Sequence, residues 1–282
     1  MLDVILDTLL DSVKLIPFLF FAFLIIELIE HKLNKKTASL IKKSGKFGPF
    51  FGSILGLLPQ CGFSVLATNL YVTRIVSLGT LIAIYLSTSD EMLPILISEK
   101  ASFKSIAVIL LIKWIVGMII GFLIDFAVRK KENKKEEYIH DLCDHDHCHC
   151  EEGILKSSII HTLKTIGFIA IITFALNTIM YYVGEDYLKE VLSKNTLLAP
   201  FISSLIGLIP NCGASIVITE LYINKLINLG TTISGLLTGS GVAILVLFKS
   251  NKNLKENLMI TGIIYGVGVI VGLLIELITT IL

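Results

Sequence analysis

Leu58-Pro59-Gln60-Cys61-Gly62, set within an apolar stretch, returns 151 positions later as Ile209-Pro210-Asn211-Cys212-Gly213. The copy extends beyond the two motifs. Pro49, Gly56, Ser64, Thr68, Leu70, Tyr71, Leu78, Gly79, Thr80 and Ser89 reappear without a gap as Pro200, Gly207, Ser215, Thr219, Leu221, Tyr222, Leu229, Gly230, Thr231 and Ser240. Gly117, Gly121 and Asp125 keep the same offset with Gly268, Gly272 and Glu276. Upstream the match loosens and shifts, pairing Thr8-Leu9 with Thr162-Leu163. Each half therefore reads as one structural repeat of about 125 residues.

Composition places both repeats in lipid. Hydrophobic residues make up 54% of the chain and charged ones 17%, and the mean hydropathy is +0.82, which a soluble core of this length would not show. The runs 12–30, 77–98, 104–128, 157–183, 229–248 and 257–282 can each cross roughly 30 Å of hydrocarbon at about 1.5 Å per residue. Six full spans are thus the expected minimum. The stretches 47–59 and 62–74 flanking the first motif reach only about 20 Å as helices. Pro59 lacks an amide donor, Gly62 tolerates unusual backbone angles, and the interruption leaves backbone groups unpaired at membrane depth. Lipid cannot satisfy such groups, so the break should line a cavity or be buried in protein. Residues 47–74 and 198–225 accordingly read as re-entrant hairpins, or as pairs of short tilted spans, with each Cys-Gly turn near the midplane.

Short loops carry an asymmetric excess of Lys and Arg. Lys32, Lys35, Lys36, Lys42, Lys43 and Lys46 follow the first span; Arg129, Lys130, Lys131, Lys134 and Lys135 follow the first repeat; Lys249, Lys252 and Lys255 fill a third loop. These three are expected on the cytoplasmic side. Both termini then lie outside, the N-terminus with Asp3, Asp7 and Asp11. Met1–Lys14 lacks the basic start of a cleavable signal, so the first span is expected to stay. Each repeat makes an odd number of crossings, so the copies insert upside down relative to each other. The expected fold is an all-α polytopic membrane protein of two inverted repeats with about five membrane segments each, the broken helices in corresponding positions of both, as in alternating-access transporters. Its divisions are a first repeat over 1–128, a cytoplasmic linker over 129–155 and a second repeat over 156–282. The glycine series Gly48/Gly52/Gly56, Gly117/Gly121 and Gly268/Gly272 suit close helix packing.

Polar residues at membrane depth are the candidate site. The densest group is Ser87-Thr88-Ser89-Asp90-Glu91, within the 77–98 run. A buried carboxylate costs several kcal/mol unless paired or coordinated. The second copy reads Thr238-Gly239-Ser240-Gly241-Val242, so the acids exist in one copy only. A duplicated scaffold that kept its ligand in one half would show this asymmetry. Asn69 and Glu220 correspond, both on the second arms of the hairpins. Asp90, Glu91 and Glu220 supply anionic oxygens, Asn69, Gln60 and Asn211 neutral ones, and Cys61 and Cys212 could add thiolate, a set that fits a divalent cation. The blander readings are a solvated helix end for Asp90 and Glu91, an interfacial acid or a salt bridge to Lys225 or Lys113 for Glu220, and small core residues for the two thiols. Lys113, mid-span and matched by Ile264, is a candidate counter-ion for one of the acids.

A separate signal lies in the linker. His140, Cys143, His145, His147, Cys148, His149 and Cys150 place three Cys and four His within eleven residues. Thiolate and neutral imidazole suit Zn, Cu(I), Cd or Ni. The irregular spacing argues against a fixed structural zinc site, and a reducing compartment against disulfides. His31 and His161 stand alone and read as interfacial.

The two Pro-x-Cys-Gly turns at 59–62 and 210–213, the Leu-Gly-Thr segments at 78–80 and 229–231, the Ser-Thr-Ser-Asp-Glu stretch and the His/Cys linker together resemble the ArsP-like permeases. The resemblance covers nearly the whole chain and points to the branch of ten-span heavy-metal exporters, whose members also carry the labels arsenic efflux protein and manganese transporter. It implies export of a toxic or excess metal or metalloid. Related organoarsenical permeases are thought to use cysteine chemistry, which Cys61 and Cys212 could supply.

Charge orders the substrates. Arsenite or its methylated forms would need thiols and apolar walls, whereas three acids would be costly there. A divalent metal of the Mn, Zn or Cd class therefore ranks first, with arsenite or organoarsenical efflux as the alternative. No Gly-x-x-x-x-Gly-Lys-Ser/Thr loop occurs, so an ion gradient or passive flow should drive transport, with a proton carried on Glu220, Asp90 or Glu91. No resident cofactor and no nucleic-acid partner are expected; the metal is cargo, and the linker could also bind it. An intramembrane enzyme would need a nucleophile with a base or a closed metal triad. A membrane-anchored metal sensor would not need broken helices in both repeats.

Overall fold

The computed structural model describes residues 47–58, 61–89, 91–129, 154–183 and 198–281, with scattered helical residues between 13 and 24. The 12–30 run therefore lies largely outside the described residues, as do Pro59, Gln60, Asp90, His31, the side chain of His161 and the His/Cys tract. Among the described residues there is no strand. The helices are α1 (Gly48–Gly56), α2 (Cys61–Val72), α3 (Leu78–Ser87), α4 (Met92–Ser98), α5 (Phe103–Arg129), α6 (Ile154–Val183), α7 (Ala199–Gly207), α8 (Cys212–Ile223), α9 (Leu229–Thr238), α10 (Ala243–Ser250) and α11 (Leu254–Ile281).

Among the described residues, five stretches are long and apolar enough to cross a membrane: Leu78–Ser98, Phe103–Val128, Ser158–Ala175, Leu229–Ser250 and Leu254–Thr280. The expectation of continuous helices over 77–98 and 229–248 needs correction. Each of these spans breaks, between Ser87 and Met92 in the first half and between Thr238 and Ala243 in the second. Local chemistry permits the breaks. Ser87 and Thr88 turn their hydroxyls back onto carbonyls one turn earlier, Ser87 to Ala83 at 2.8 Å and Thr88 to Ile84 at 2.7 Å, which competes with continuation of the helix. In the second half Gly241 takes φ 55, a left-handed angle that ends the helical path.

The broken spans are the core. In Leu78–Ser98 and Leu229–Ser250, 71% and 83% of the most apolar window is buried, against 22–29% for the three unbroken spans. The long helices α5, α6 and α11 form the jacket and present Phe103, Phe126, Ile171 and Ile270 outward. That arrangement suits lipid outside and polar breaks inside.

The helix pairing recurs in both halves: α3 packs on α1 and α5, and α9 packs on α7 and α11. The glycine series make this possible. Gly48, Gly52 and Gly56 lie against Thr80, Ile84 and Ser87 of α3, while Gly117 and Gly121 lie against Ala83 and Gly79 from the other side. In the second half Gly207 meets Gly235 and Thr238, and Gly268 and Gly272 meet Ser234, Thr238 and Gly230. Contact this close leaves no room for a side chain.

The segments flanking the two motifs form short helices, and one expectation about them needs correction. The helices α1, α2, α7 and α8 have 9, 12, 9 and 12 residues, each well short of a full crossing. Pro49 and Pro200 sit in the first turns of α1 and α7, where a missing amide donor costs nothing. Cys61 and Cys212, however, begin α2 and α8 rather than forming the turn. Gly62 and Gly213 lie inside those helices, and neither has a positive φ. Asn211 supplies what the glycine was expected to supply: its side chain caps α8 by accepting from the Gly213 amide at 3.0 Å.

Candidate functional site

The second hairpin arms cross between halves. The arm α2, which carries Asn69, packs on α10, the helix that follows the second-half break. Its counterpart α8, which carries Glu220, packs on α4, the helix that follows the first-half break. Each break is therefore flanked by an arm from the other half, and the core cluster draws on both: Val65, Tyr71, Leu81, Leu86, Met92 and Leu96 with Val217, Leu221, Leu236 and Leu247.

Several expected site residues are buried at these junctions. Ser87 and Ser89 are buried; the Ser89 amide donates to the Gly56 carbonyl at 3.2 Å, joining the span break to the hairpin break. Asn69 is 4% exposed and its Nδ2 has no hydrogen-bond partner; Ser240 is 0% exposed and its Oγ likewise has none. Buried polar atoms without partners are costly, about 1–3 kcal/mol each, and call for a ligand or a role. Asn211 is buried and engaged as the α8 cap. Glu91 is half-buried at the N-cap of α4, and Glu220 is half-buried on α8. Among the described residues no group of three His, Cys, Asp or Glu is gathered for a metal. Asp90, Gln60, the side chains of Cys61 and Cys212, and the tract from His140 to Cys150 lie outside those residues.

Lys113 is 1% exposed and donates from Nζ to the Leu236 carbonyl, in the last turn of α9. Tyr85, also fully buried, donates to the Ala243 carbonyl at 3.3 Å and shares a 2.5 Å hydrogen bond with Thr68 of α2. Two first-half side chains thus grip the second-half break, one before it and one after it. The reverse grip cannot form, because the positions equivalent to Lys113 and Tyr85 are Ile264 and Leu236.

Asp125 and Glu276, marks of the repeat in the sequence, also tie helices together. Asp125 accepts from the Gly79 amide at 2.9 Å and from Ser77 Oγ at 2.7 Å, tying the start of α3 to α5. Glu276 accepts from Asn228 Nδ2 at 2.7 Å, tying the start of α9 to α11. An acid retained at one position in both copies, one turn after Gly121 or Gly272, was the signal. At one end of the bundle Arg74 pairs with Glu256 at 3.2 Å, and Tyr71 donates to the same carboxylate.

These features define a class: a multi-pass helical membrane protein whose interior is built from broken helices and whose buried polar groups collect at the breaks. The chain matches the family described as "Putative, 10TM heavy-metal exporter" over residues 1–187 and 155–281, and it belongs to that family. Metal export is the activity that description carries, and a transporter rather than an enzyme is what family and fold point to. No curated protein and no solved structure matches this chain.

Proposed function

We propose that the chain exports a divalent transition or heavy metal of the Mn, Zn or Cd class through a site shared by the two span breaks. The observation that carries this reading is the crossed packing, α2 on α10 and α8 on α4, which sets the arm that bears Asn69 on the helix after the second break and the arm that bears Glu220 on the helix after the first. Carboxylate and amide oxygens suit Mn(II); Zn(II) and Cd(II) would also engage the thiols and the linker. The repeats are inverted, the basic loops and the linker face the cytoplasm, and both termini face outward. The Arg74–Glu256 pair supports this orientation, since it puts the end of the first hairpin on the same side as the Lys249–Lys255 loop. In the cytoplasm the linker residues His140 to Cys150 collect soft metal before transport, and a proton on Asp90, Glu91 or Glu220 exchanges for the cargo.

A second reading rests on Cys61 and Cys212 being the first residues of α2 and α8. A helix N-terminus favours thiolate, the ligand for arsenite or an organoarsenical. Metal flux into proteoliposomes separates the two. With Mn(II), Zn(II), Cd(II) and arsenite compared, Asp90→Asn with Glu91→Gln should stop divalent flux while Cys61→Ser with Cys212→Ser leaves Mn(II) flux in place. Arsenite flux that depends on the cysteines and ignores the acids would reverse the assignment.

A further inference from the structure

The carbonyl end of a half-helix inside a membrane protein is a place where transported cations are coordinated, because its last carbonyls lack helical donors and carry the negative end of the dipole. Both halves have such an end beside a break, at Ser87 and at Thr238. They are occupied differently. In the first half the Tyr85 carbonyl accepts from the backbone amide of Thr88 at 3.3 Å, and the acids Asp90 and Glu91 follow. In the second half the equivalent carbonyl, Leu236, accepts from the ammonium of Lys113, and no acid follows. Lys113 comes from the other half, on α5, and Ile264 holds its position in the second copy.

We propose that Lys113 is a resident cation: it fills, at the second break, the kind of position that the transported metal takes at the first. This rests on the divalent-cation reading above. Duplication would have produced two cation positions across the interface between halves. One kept its carboxylates, and the other received a tethered ammonium in place of a second ion. Lys113 thereby fixes the charge beside the metal position so that a single divalent ion completes it, and it is a positioning residue for the second break. Tyr85 holds the far side of that break through the Ala243 carbonyl, so the second break stays fixed while the acid-bearing break takes and releases cargo.

The test uses the full chain in proteoliposomes with Mn(II). Lys113→Gln keeps a donor for Leu236 and removes the charge; its flux is expected to fall about tenfold or more, since an intramembrane charge that balances others is not replaced by a neutral amide. Lys113→Ala leaves a cavity that n-propylammonium can enter, and n-propylammonium should restore flux where 1-propanol, matched in size and neutral, does not. Should Lys113→Ala not fold, the same comparison is read as recovery of thermal melting on adding n-propylammonium or 1-propanol. Wild-type flux in Lys113→Gln, or equal rescue by the two additives, overturns the inference and leaves the transport reading standing. A folded wild type that moves no divalent cation removes both.

Discussion

Replacing Gly121 by alanine adds one methyl group at a tight junction of the first half. Its Cβ would stand 2.6 Å from the Gly79 carbonyl oxygen, 2.8 Å from Ala83 Cβ and 2.9 Å from Pro49 Cβ. Ordinary contact begins near 3.4 Å, so α5 must back away from α3 and α1 by about 0.5–0.8 Å, a gap that forfeits a quarter to a half of each dispersion contact it opens. Two of the three obstacles are a backbone carbonyl and a proline ring, neither of which can swing aside. Overpacking of this kind costs about 1–3 kcal/mol, which lowers melting by roughly 2–12 °C at 2–4 °C per kcal/mol. Gly167→Ala is the control, because nothing lies within 4 Å of its added Cβ. There the substitution only removes glycine's helix penalty, about 0.5–1 kcal/mol in water. In a bilayer, where helices persist after tertiary structure is lost, the gain stays at the lower end. Melting followed by size-exclusion recovery in detergent should therefore move in opposite directions for one chemical change. Gly121→Ala melting at or above the wild type, or Gly167→Ala falling as far, would refute the close α3–α5 packing.

The acid pins and the linker give two further tests. Asp125→Ala strands the Gly79 amide and takes one partner from the Ser77 hydroxyl, which keeps Thr80, so it should lose about 1–3 kcal/mol. Glu276→Ala should lose less, because its Oε2 is buried without a partner and Asn228 is exposed; melting of the two variants side by side checks the order. Deleting 140–150 should leave Mn(II) flux at saturating metal within about twofold of wild type, since loops tolerate deletion when no core depends on them. Complete loss of flux would favour a role in sensing.

The membrane class and the half-length helices beside the motifs could be read from residues alone, because the signals are periodic or cumulative. Length against bilayer thickness identified 47–59 and 62–74 as too short to cross, and the helices α1 and α2 are that short. The breaks in the other two spans were less legible. Ser, Thr and Gly in an apolar run can pack inside a helix or end it, and the choice depends on whether a neighbour takes the freed backbone groups. Here Gly56 takes the Ser89 amide and Lys113 takes the Leu236 carbonyl, and neither neighbour is near in sequence. Gly213 illustrates the converse: its motif position suggested a special backbone angle, yet the Asn211 cap makes the turn without one.

By itself, then, the sequence determined how many copies there are, which segments lie in lipid and which polar residues had to find partners there. Hydrophobic burial and bilayer thickness act on every segment independently, so those properties are local and additive. Only the tertiary structure decided which partners they found. That α2 lies on α10 and α8 on α4, that a first-half lysine caps a second-half helix, and that Asp125 pins the start of α3 all depend on contacts between residues at least 46 positions apart. Chain geometry permits many such pairings, and the close glycine contacts fix the packing within each half while leaving the pairing between halves to the buried polar and apolar contacts.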